Sequence, residues 1–132
     1  MTEVFVTHQK EDAILWLTLN RPERRNPLSS EMIAALSNAI EMGNEDPAVR
    51  VMVIRSSGPA FSAGHDLTEI QRRSEEDSAK RQERVKALLE ACAALMTRIM
   101  HAPKPVIAGV QGIASAAGCQ LVSACDLAIA SE

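Results

Sequence analysis

The sequence predicts a single α/β domain in which apolar strands alternate with amphipathic helices. Two β-branched apolar runs, at residues 51–54 and 106–110, indicate buried strands. Before the first run, Ile33, Leu36 and Ile40 recur at helical spacing, which predicts a helix packed on the sheet. Strand, helix and strand at this spacing favour a parallel crossover. A chain of 132 residues is expected to build one hydrophobic core.

The N-terminal part of the chain predicts a strand pair, a basic loop and the start of that helix. Residues 4–8 alternate weakly and residues 13–19 are apolar, which indicates a hairpin across a polar turn. Residues 20–27 form a loop that carries three arginines and two prolines. Ser29 or Ser30 can cap the helix that follows.

The middle of the chain predicts a long helix. Residues 69–86 are dense in charge, which indicates a solvated helix face. Residues 85–99 then carry apolar side chains at helical spacing, which indicates core packing rather than a cofactor site. His101 is interpreted as a cap of the last helical turn.

Two turns built from small residues follow the two apolar runs, and each leads into a predicted helix. The first turn ends at Asp66, whose side chain can cap a helix with Glu69 three residues on, as in a capping box. The second turn spans residues 112–118. Such turns present free backbone N–H groups, and small side chains let a ligand approach them. Two of them can offer one N–H each to a single oxygen, which is an oxyanion hole. The alternative is a tightly packed strand–helix joint without a ligand.

Three motifs carry a resemblance to a known family. They are FSAGHDL at residues 61–67, GIASAAGCQLVSACDLAIAS at residues 112–131 and NRPERRNPLS at residues 20–29. In this order and spacing they resemble the enoyl-CoA hydratase/isomerase (crotonase) superfamily. Their residues are most similar to those of the enoyl-CoA hydratase domain-containing proteins. The resemblance implies a crotonase-like spiral of ββα units. It covers nearly all of this chain but only the N-terminal half of the family's domain. Residues 1–132 are therefore expected to form a truncated core domain without the family's C-terminal helical part.

The resemblance also implies an oxyanion hole made of two backbone N–H groups. Carried over by motif position, these belong to His65 and Ala117. Ala117 stands where the family usually has glycine, and His65 stands where it usually has a small or apolar residue. The side chain of His65 could also reach the pocket, but local hydrogen bonding is favoured over a catalytic role for its imidazole.

Gln120 occupies the position of the first of the two glutamates that the family's efficient hydratases use. A glutamine cannot exchange protons at useful pH and only orients groups by hydrogen bonds. The second glutamate would fall beyond Glu132. The resemblance thus implies a lyase or isomerase relative in fatty acid metabolism that binds an acyl-CoA thioester and stabilises its enolate, without full hydratase turnover. The alternative is a non-catalytic acyl-CoA-binding or assembly fragment.

Substrate contacts implied by the resemblance lie in the basic loop and the two turns. They are Arg24, Arg25, Ala63, Gly64, Asp66 and Gly118. The two arginines are expected to face coenzyme A phosphates, with a solvated loop as the alternative. Asp66 is best explained as a helix cap.

Composition narrows the classes of partner. The net charge of −3 gives no sign of nucleic acid or an anionic membrane. Three cysteines without C-x-x-C spacing argue against a disulfide framework or a zinc site, so we expect packed thiols in a reducing compartment. No metal is expected, and no cofactor apart from coenzyme A as part of the substrate.

Location and assembly follow from the same observations. No signal peptide precedes the first strand and no apolar stretch is long enough to span a membrane, so a cytoplasmic protein is expected. A mitochondrial matrix location would require a transit peptide that has been removed. The family forms trimers or multiples of them. Apolar faces left without C-terminal helices also predict self-association, or cover by a further chain segment.

Overall fold

The computed structural model describes residues 3–71 and 73–132 as an α/β arrangement of seven strands and four α-helices. The strands are β1 (Val6–Glu11), β2 (Ile14–Leu19), β3 (Val51–Ser56), β4 (Ala60–Ser62), β5 (Val106–Val110), β6 (Ile113–Ala114) and β7 (Leu127–Ala130). The α-helices are α1 (Ser30–Glu45), α2 (Leu67–Ile70), α3 (Ser78–Met100) and α4 (Ala117–Ala124). A short 3₁₀ turn covers Pro22–Arg24 in the basic loop.

The strands form two sheets. Five of them lie in the order β1-β2-β3-β5-β7, and β4 pairs with β6 in a small second sheet. Only the β1–β2 pair is antiparallel, whereas β2–β3, β3–β5 and β5–β7 are all parallel. The hairpin and the parallel crossovers predicted from the sequence are therefore confirmed. Beyond α1, the chain twice follows the order large-sheet strand, small-sheet strand and helix, which is the expected spiral of ββα units.

The hydrophobic core lies between one face of the large sheet and the helices. Its fully buried members include Leu17 and Leu19 of β2, Ile54 of β3, Leu36 of α1 and Leu95 of α3. Alternate residues along a strand point to opposite faces, so the same strands present a second row of side chains away from the helices.

That second row is apolar and only partly covered. The strand register aligns Trp16, Val53, Ile107 and Leu127 across four adjacent strands. Leu127 is 64% exposed, and the guanidinium of Arg55 lies 4.4 Å from the centre of the Trp16 ring. A mostly parallel sheet normally has both faces covered, and within the described residues helices pack on only one. Self-association through such a face stays a prediction.

Helix ends follow local capping rules, with one difference from expectation. Ser29, not Ser30, caps α1, because its hydroxyl accepts a hydrogen bond from Met32 N–H at 3.1 Å. Asp66 caps α2 as predicted. The predicted capping box is wrong in its second half, since the Glu69 carboxylate turns away and accepts hydrogen bonds from the N–H and hydroxyl of Ser30. Glu69 therefore joins α2 to the start of α1, where a negative charge is favourable.

Candidate active site

The two small-residue turns meet directly in the structure. A Cβ built on Gly64 would lie 3.2 Å from the nitrogen of Ala117 and 3.0 Å from the Cβ of Ala116. Gly64 has a φ of +95°, a conformation that suits glycine and brings its backbone against the second turn. The N–H of Ser115 crosses back to the carbonyl of Ser62 at 3.0 Å. The first and second turns are thus one packed unit.

The direction of the His65 N–H is set by the carbonyl on the same peptide. The Gly64 carbonyl accepts a hydrogen bond from Leu28 N–H at 2.7 Å. In a trans peptide the N–H points opposite to the carbonyl, so the His65 N–H points away from Leu28. No acceptor for this N–H occurs within residues 3–71 and 73–132.

The Ala117 N–H is fixed in a similar way at the start of α4. The Ala116 carbonyl accepts from Gln120 N–H at 3.1 Å, so the Ala117 N–H points out of the helix. A first-turn N–H has no partner within its own helix. The part of the chain that the structure describes supplies no other acceptor for it. Ala116 itself has φ 51° and ψ −122°, an uncommon conformation for a residue with a side chain.

These contacts place an upper limit on the separation of the two nitrogens. Three covalent bonds, each of about 1.3–1.5 Å, separate the Cβ position on Gly64 from the nitrogen of His65. Since that Cβ position is 3.2 Å from Ala117 N, the two nitrogens lie within roughly 8 Å of each other.

A buried polar network that the sequence reasoning missed supports both turns. Asn26 is fully buried and donates from its amide to the carbonyls of Ser57 at 2.9 Å and Ala60 at 3.0 Å. The main-chain carbonyl of Asn26 accepts a hydrogen bond from the Ser62 hydroxyl at 2.8 Å. Asn26 has a φ of 50°, which asparagine tolerates better than most residues. An asparagine that precedes a proline in an otherwise basic loop was the available signal.

The basic loop lies against the first turn; Arg24 and Arg25 stay exposed, whereas Arg21 is partly buried. The Arg25 carbonyl accepts from Ala63 N–H at 2.9 Å. Arg24 lies 3.5 Å from an oxygen of Asp66 through its Nη2 atom. The side chain of Arg25 borders a pocket of about 230 Å³ together with residues of both turns. Its lining consists of Arg25, Pro59, Ala60, Ala63, Ile113 and Ser115.

Asp66 is held as an anion rather than poised to donate a proton. Burial alone would raise the pKa of Asp66, but hydrogen bonds from the hydroxyl and N–H of Thr68 and the charge of Arg24 outweigh it and lower the pKa. The distances from Thr68 to the carboxylate are 2.7 Å from Oγ1 and 3.0 Å from the nitrogen. This matches the cap predicted from the sequence.

The remaining predicted site residues lie around the same junction. Gln120 is exposed on α4, less than one helical turn after Ala117. The His65 ring lies with Nδ1 3.4 Å from the Leu28 carbonyl, which is the local contact favoured from the sequence. Gly118 is buried, and a Cβ there would lie 2.9 Å from the Cβ of Ser62. Gly118 therefore provides close packing between α4 and β4.

The cysteines require one correction. All three are free thiols, as expected from their spacing. Burial raises the pKa of Cys92, and burial together with Asp126 raises that of Cys125 to about 12. Cys119 was expected to be packed but is exposed, because it lies on the outer side of α4 next to Gln120.

The described residues hold neither a metal-binding cluster nor a helix fit to cross a membrane. No group of three or more His, Cys, Asp or Glu residues in residues 3–71 and 73–132 is arranged to hold a metal ion. Over the same ranges, no helix combines the length and apolar character needed to cross a membrane.

Two ββα units packed side by side, with their small-residue turns in contact at the start of α4, define a crotonase-like α/β protein. The family model described as enoyl-CoA hydratase/isomerase matches residues 9–132. The chain therefore belongs to the enoyl-CoA hydratase/isomerase family.

Individual relatives agree with this assignment. The chain is 40% identical over 124 residues to the zebrafish (Danio rerio) mitochondrial enoyl-CoA hydratase domain-containing protein 3, covering 94% of this chain and 41% of that protein. It is 36% identical to the 2,3-dehydroadipyl-CoA hydratase of Escherichia coli K12, covering 100% of this chain and 48% of that enzyme. The crystal structure of human enoyl-CoA hydratase domain-containing protein 3 superposes with a TM-score of 0.87 at 35% identity, over 96% of this chain and 47% of that one. The chain thus spans just under half the length of the relatives it matches.

Proposed function

We propose that this chain binds an acyl-CoA thioester and polarises its carbonyl through the N–H groups of His65 and Ala117. The observation that carries the proposal is the close approach of Gly64 to Ala117. A Cβ built on Gly64 would lie 3.2 Å from the Ala117 nitrogen. It brings together two N–H groups whose directions are set by hydrogen bonds to neighbouring carbonyls. One donor of this kind typically lowers a barrier by about 2.7–4 kcal/mol when charge develops on the oxygen.

The rest of the substrate has complementary surroundings. Arg24 and Arg25 are exposed at the edge of the first turn, where they can pair with the phosphates of coenzyme A. The pocket of about 230 Å³ beside Ala63 and Ser115 has both apolar and polar lining and suits part of the bound molecule. The relative from Escherichia coli is named as a hydratase of an acyl-CoA ester, which supports the same class of substrate.

Carbonyl polarisation is separate from proton transfer in this proposal. Hydration of an α,β double bond needs groups that take and give protons. Gln120 supplies none, Asp66 is a weak base because Thr68 and Arg24 lower its pKa, and His65 hydrogen-bonds to Leu28. We therefore infer binding and enolate stabilisation, with hydratase or isomerase turnover by these residues far below that of an efficient hydratase.

The test is a pair of measurements on the same protein. Calorimetry with acetyl-CoA measures binding, and hydration of crotonyl-CoA measures turnover, with a Gln120→Glu variant alongside. Micromolar binding with little turnover, and a gain of turnover in Gln120→Glu, is the expected result. Wild-type turnover near that of an efficient hydratase would contradict the role given to Gln120. No binding of acetyl-CoA would leave only the second candidate, a fragment that retains the fold for assembly.

A structure with bound ligand tests the geometry itself. Two donors that share one oxygen at ~2.9 Å each must have nitrogens no more than about 6 Å apart. A thioester oxygen within hydrogen-bond distance of both His65 N and Ala117 N is expected. Nitrogens further apart, or pointing to different places, would reduce the assignment to shared ancestry.

Assembly and location complete the proposal. We infer that a second copy covers part of the row Trp16, Val53, Ile107 and Leu127, because β7 adds an unpaired strand edge to that apolar face. Light scattering is expected to give a mass above the 14.3 kDa of one chain, and a monomer would contradict this. A cytoplasmic location remains a prediction from the sequence, whereas the zebrafish relative is named as mitochondrial.

A further inference from the structure

We propose that Ser62 is the positioning residue of the two-turn site, acting through the backbone of both turns; this inference rests on the function proposed above. Ser62 is fully buried in β4 and does not face the proposed substrate pocket. It is the point at which the basic loop, the first turn and the second turn are joined by hydrogen bonds.

Three hydrogen bonds of Ser62 lead to three different segments. Its hydroxyl donates to the carbonyl of Asn26 at 2.8 Å and accepts from Gly64 N–H at 3.2 Å. Its carbonyl accepts from Ser115 N–H at 3.0 Å. In addition, Gly118 packs against it so closely that a Cβ would lie 2.9 Å from the Ser62 Cβ. Ser62 therefore contacts Gly64, directly before the first proposed donor, and Ser115 and Gly118, which lie on either side of the second.

The hydroxyl is the part of Ser62 that controls the first donor. Gly64 has no side chain and a φ of +95°, so few local forces hold its peptide groups in one orientation. The Ser62 hydroxyl holds the N–H on one side of Gly64, and Leu28 N–H holds the carbonyl on the other. Without the hydroxyl, the Ala63–Gly64 peptide keeps only the longer bond from the Ser115 hydroxyl to the Ala63 carbonyl at 3.3 Å, so the adjoining peptide that carries the His65 N–H is less well restrained on that side. A hydroxyl can donate and accept at once, which neither alanine nor glycine can do through a side chain.

Loss of the hydroxyl is expected to weaken polarisation more than binding. The contacts proposed for coenzyme A come from Arg24, Arg25 and the pocket beside Ala63, none of which Ser62 touches through its hydroxyl. A misplaced N–H, by contrast, directly weakens the field on the thioester oxygen, because this interaction depends on donors held at 2.7–3.1 Å. The signature of a positioning residue here is a changed carbonyl environment at unchanged occupancy.

The experiment uses a conjugated dienoyl-CoA, whose absorption moves to longer wavelength when its thioester carbonyl is polarised. Titration gives the dissociation constant, and the spectrum at saturation reports polarisation. For Ser62→Ala we expect a dissociation constant within about 3-fold of the wild type and loss of about half of the spectral shift, as one of two donors is impaired. The control is Ser57→Ala, which removes a hydroxyl bonded to the Leu19 carbonyl at 3.1 Å. It should keep the full shift.

A second variant guards against a folding defect. Ser62→Cys fills nearly the same space, but a thiol is a weak donor and a weak acceptor, so it should reproduce the loss of spectral shift. An unchanged shift at saturation in either folded variant would overturn the role of Ser62 and leave the proposed function intact. A wild-type protein that binds the probe without any shift, or does not bind it, would overturn both.

Discussion

The junction between α4 and β4 is best tested by adding one methyl group to Gly118. This glycine is buried at the second position of α4, directly after Ala117. A Cβ there would lie 2.9 Å from the Cβ of Ser62 and 3.0 Å from its carbonyl carbon, and closer still to its carbonyl oxygen. Main-chain atoms of a paired strand cannot move aside as the end of a flexible side chain can, so Gly118→Ala must push the helix away from β4.

The expected change in the free energy of unfolding of Gly118→Ala combines two opposing effects. Overpacking a well-filled site typically costs about 1–3 kcal/mol, whereas replacing glycine by alanine within a helix gains up to ~1 kcal/mol. We expect Gly118→Ala to lower the free energy of unfolding by about 1–2 kcal/mol, with a fall of roughly 3–10 °C in melting temperature. The same movement shifts Ala117 N relative to His65 N. A displacement approaching about 1 Å can cost ~100-fold in rate when geometry determines catalysis.

The assay pairs thermal unfolding by circular dichroism with the dienoyl-CoA spectrum at saturation. Gly109→Ala in β5 is the matched control, because the nearest atom to a Cβ there is the Cβ of Arg55 at 3.7 Å, an ordinary contact. It should leave the melting temperature unchanged or raise it, since alanine restricts the unfolded chain by about 0.4–1 kcal/mol. A Gly118→Ala protein as stable as Gly109→Ala and with full carbonyl polarisation would refute the claim that this contact holds the two turns together.

Three further predictions concern other parts of the molecule. Lys104→Met removes an ammonium group that donates to the carbonyls of Gly43 at 2.7 Å and Asp46 at 2.5 Å, and chemical denaturation should show a loss of about 1–2 kcal/mol. NMR titration should show that Arg84→Met raises the pKa of Glu76, which the hydrogen bond from Arg84 lowers to about 2. The pKa of Glu76 in the folded protein lies below its ordinary value of 4.5, so the Glu76–Arg84 pair stabilises the protein fully above pH 4.5. This stabilisation is lost as the pH falls from about 4.5 to about 2, and Arg84→Met should flatten this dependence of stability on pH. Iodoacetamide at pH 8 should label exposed Cys119 alone by mass spectrometry, and rapid labelling of a second thiol would contradict the burial of the other two.

Most of the fold could be predicted because its strands and long helices carry strong periodic patterns. The apolar run that forms β2, with Leu15, Leu17 and Leu19 buried, and the spacing of Ile33, Leu36 and Ile40 both reflect packing against the core. The short elements were harder to predict from the sequence. The three-residue β4 and two-residue β6 are too short to show a period, and they exist because the chain pairs them at a distance of more than fifty residues.

The candidate site was predictable only in part, since its supports are interactions between segments. Small residues at Gly64 and Gly118 indicated close backbone approach, and the structure places both at the junction. The role of Asn26 depends on the carbonyls of Ser57 and Ala60, which no local pattern links to it. Glu69 was misassigned for the same reason, because a capping box and a bond to Ser30 use the same side chain and only tertiary structure decides between them.

A site made from main-chain N–H groups places unusual demands on its sequence. In the proposed function the donors can be histidine or alanine, because only their backbone N–H groups are used, so side-chain identity at His65 and Ala117 carries little information. The sequence is constrained instead at the neighbouring positions, where residues must be small enough for the two turns to touch, as Gly64 and Gly118 are. Proton transfer, in contrast, depends on a side chain, and the proposed function attributes its loss to the amide of Gln120 in place of a carboxylate. Carbonyl polarisation can therefore persist in a chain of this family after proton transfer has gone, and Gln120→Glu and Ser62→Ala address those two capacities separately.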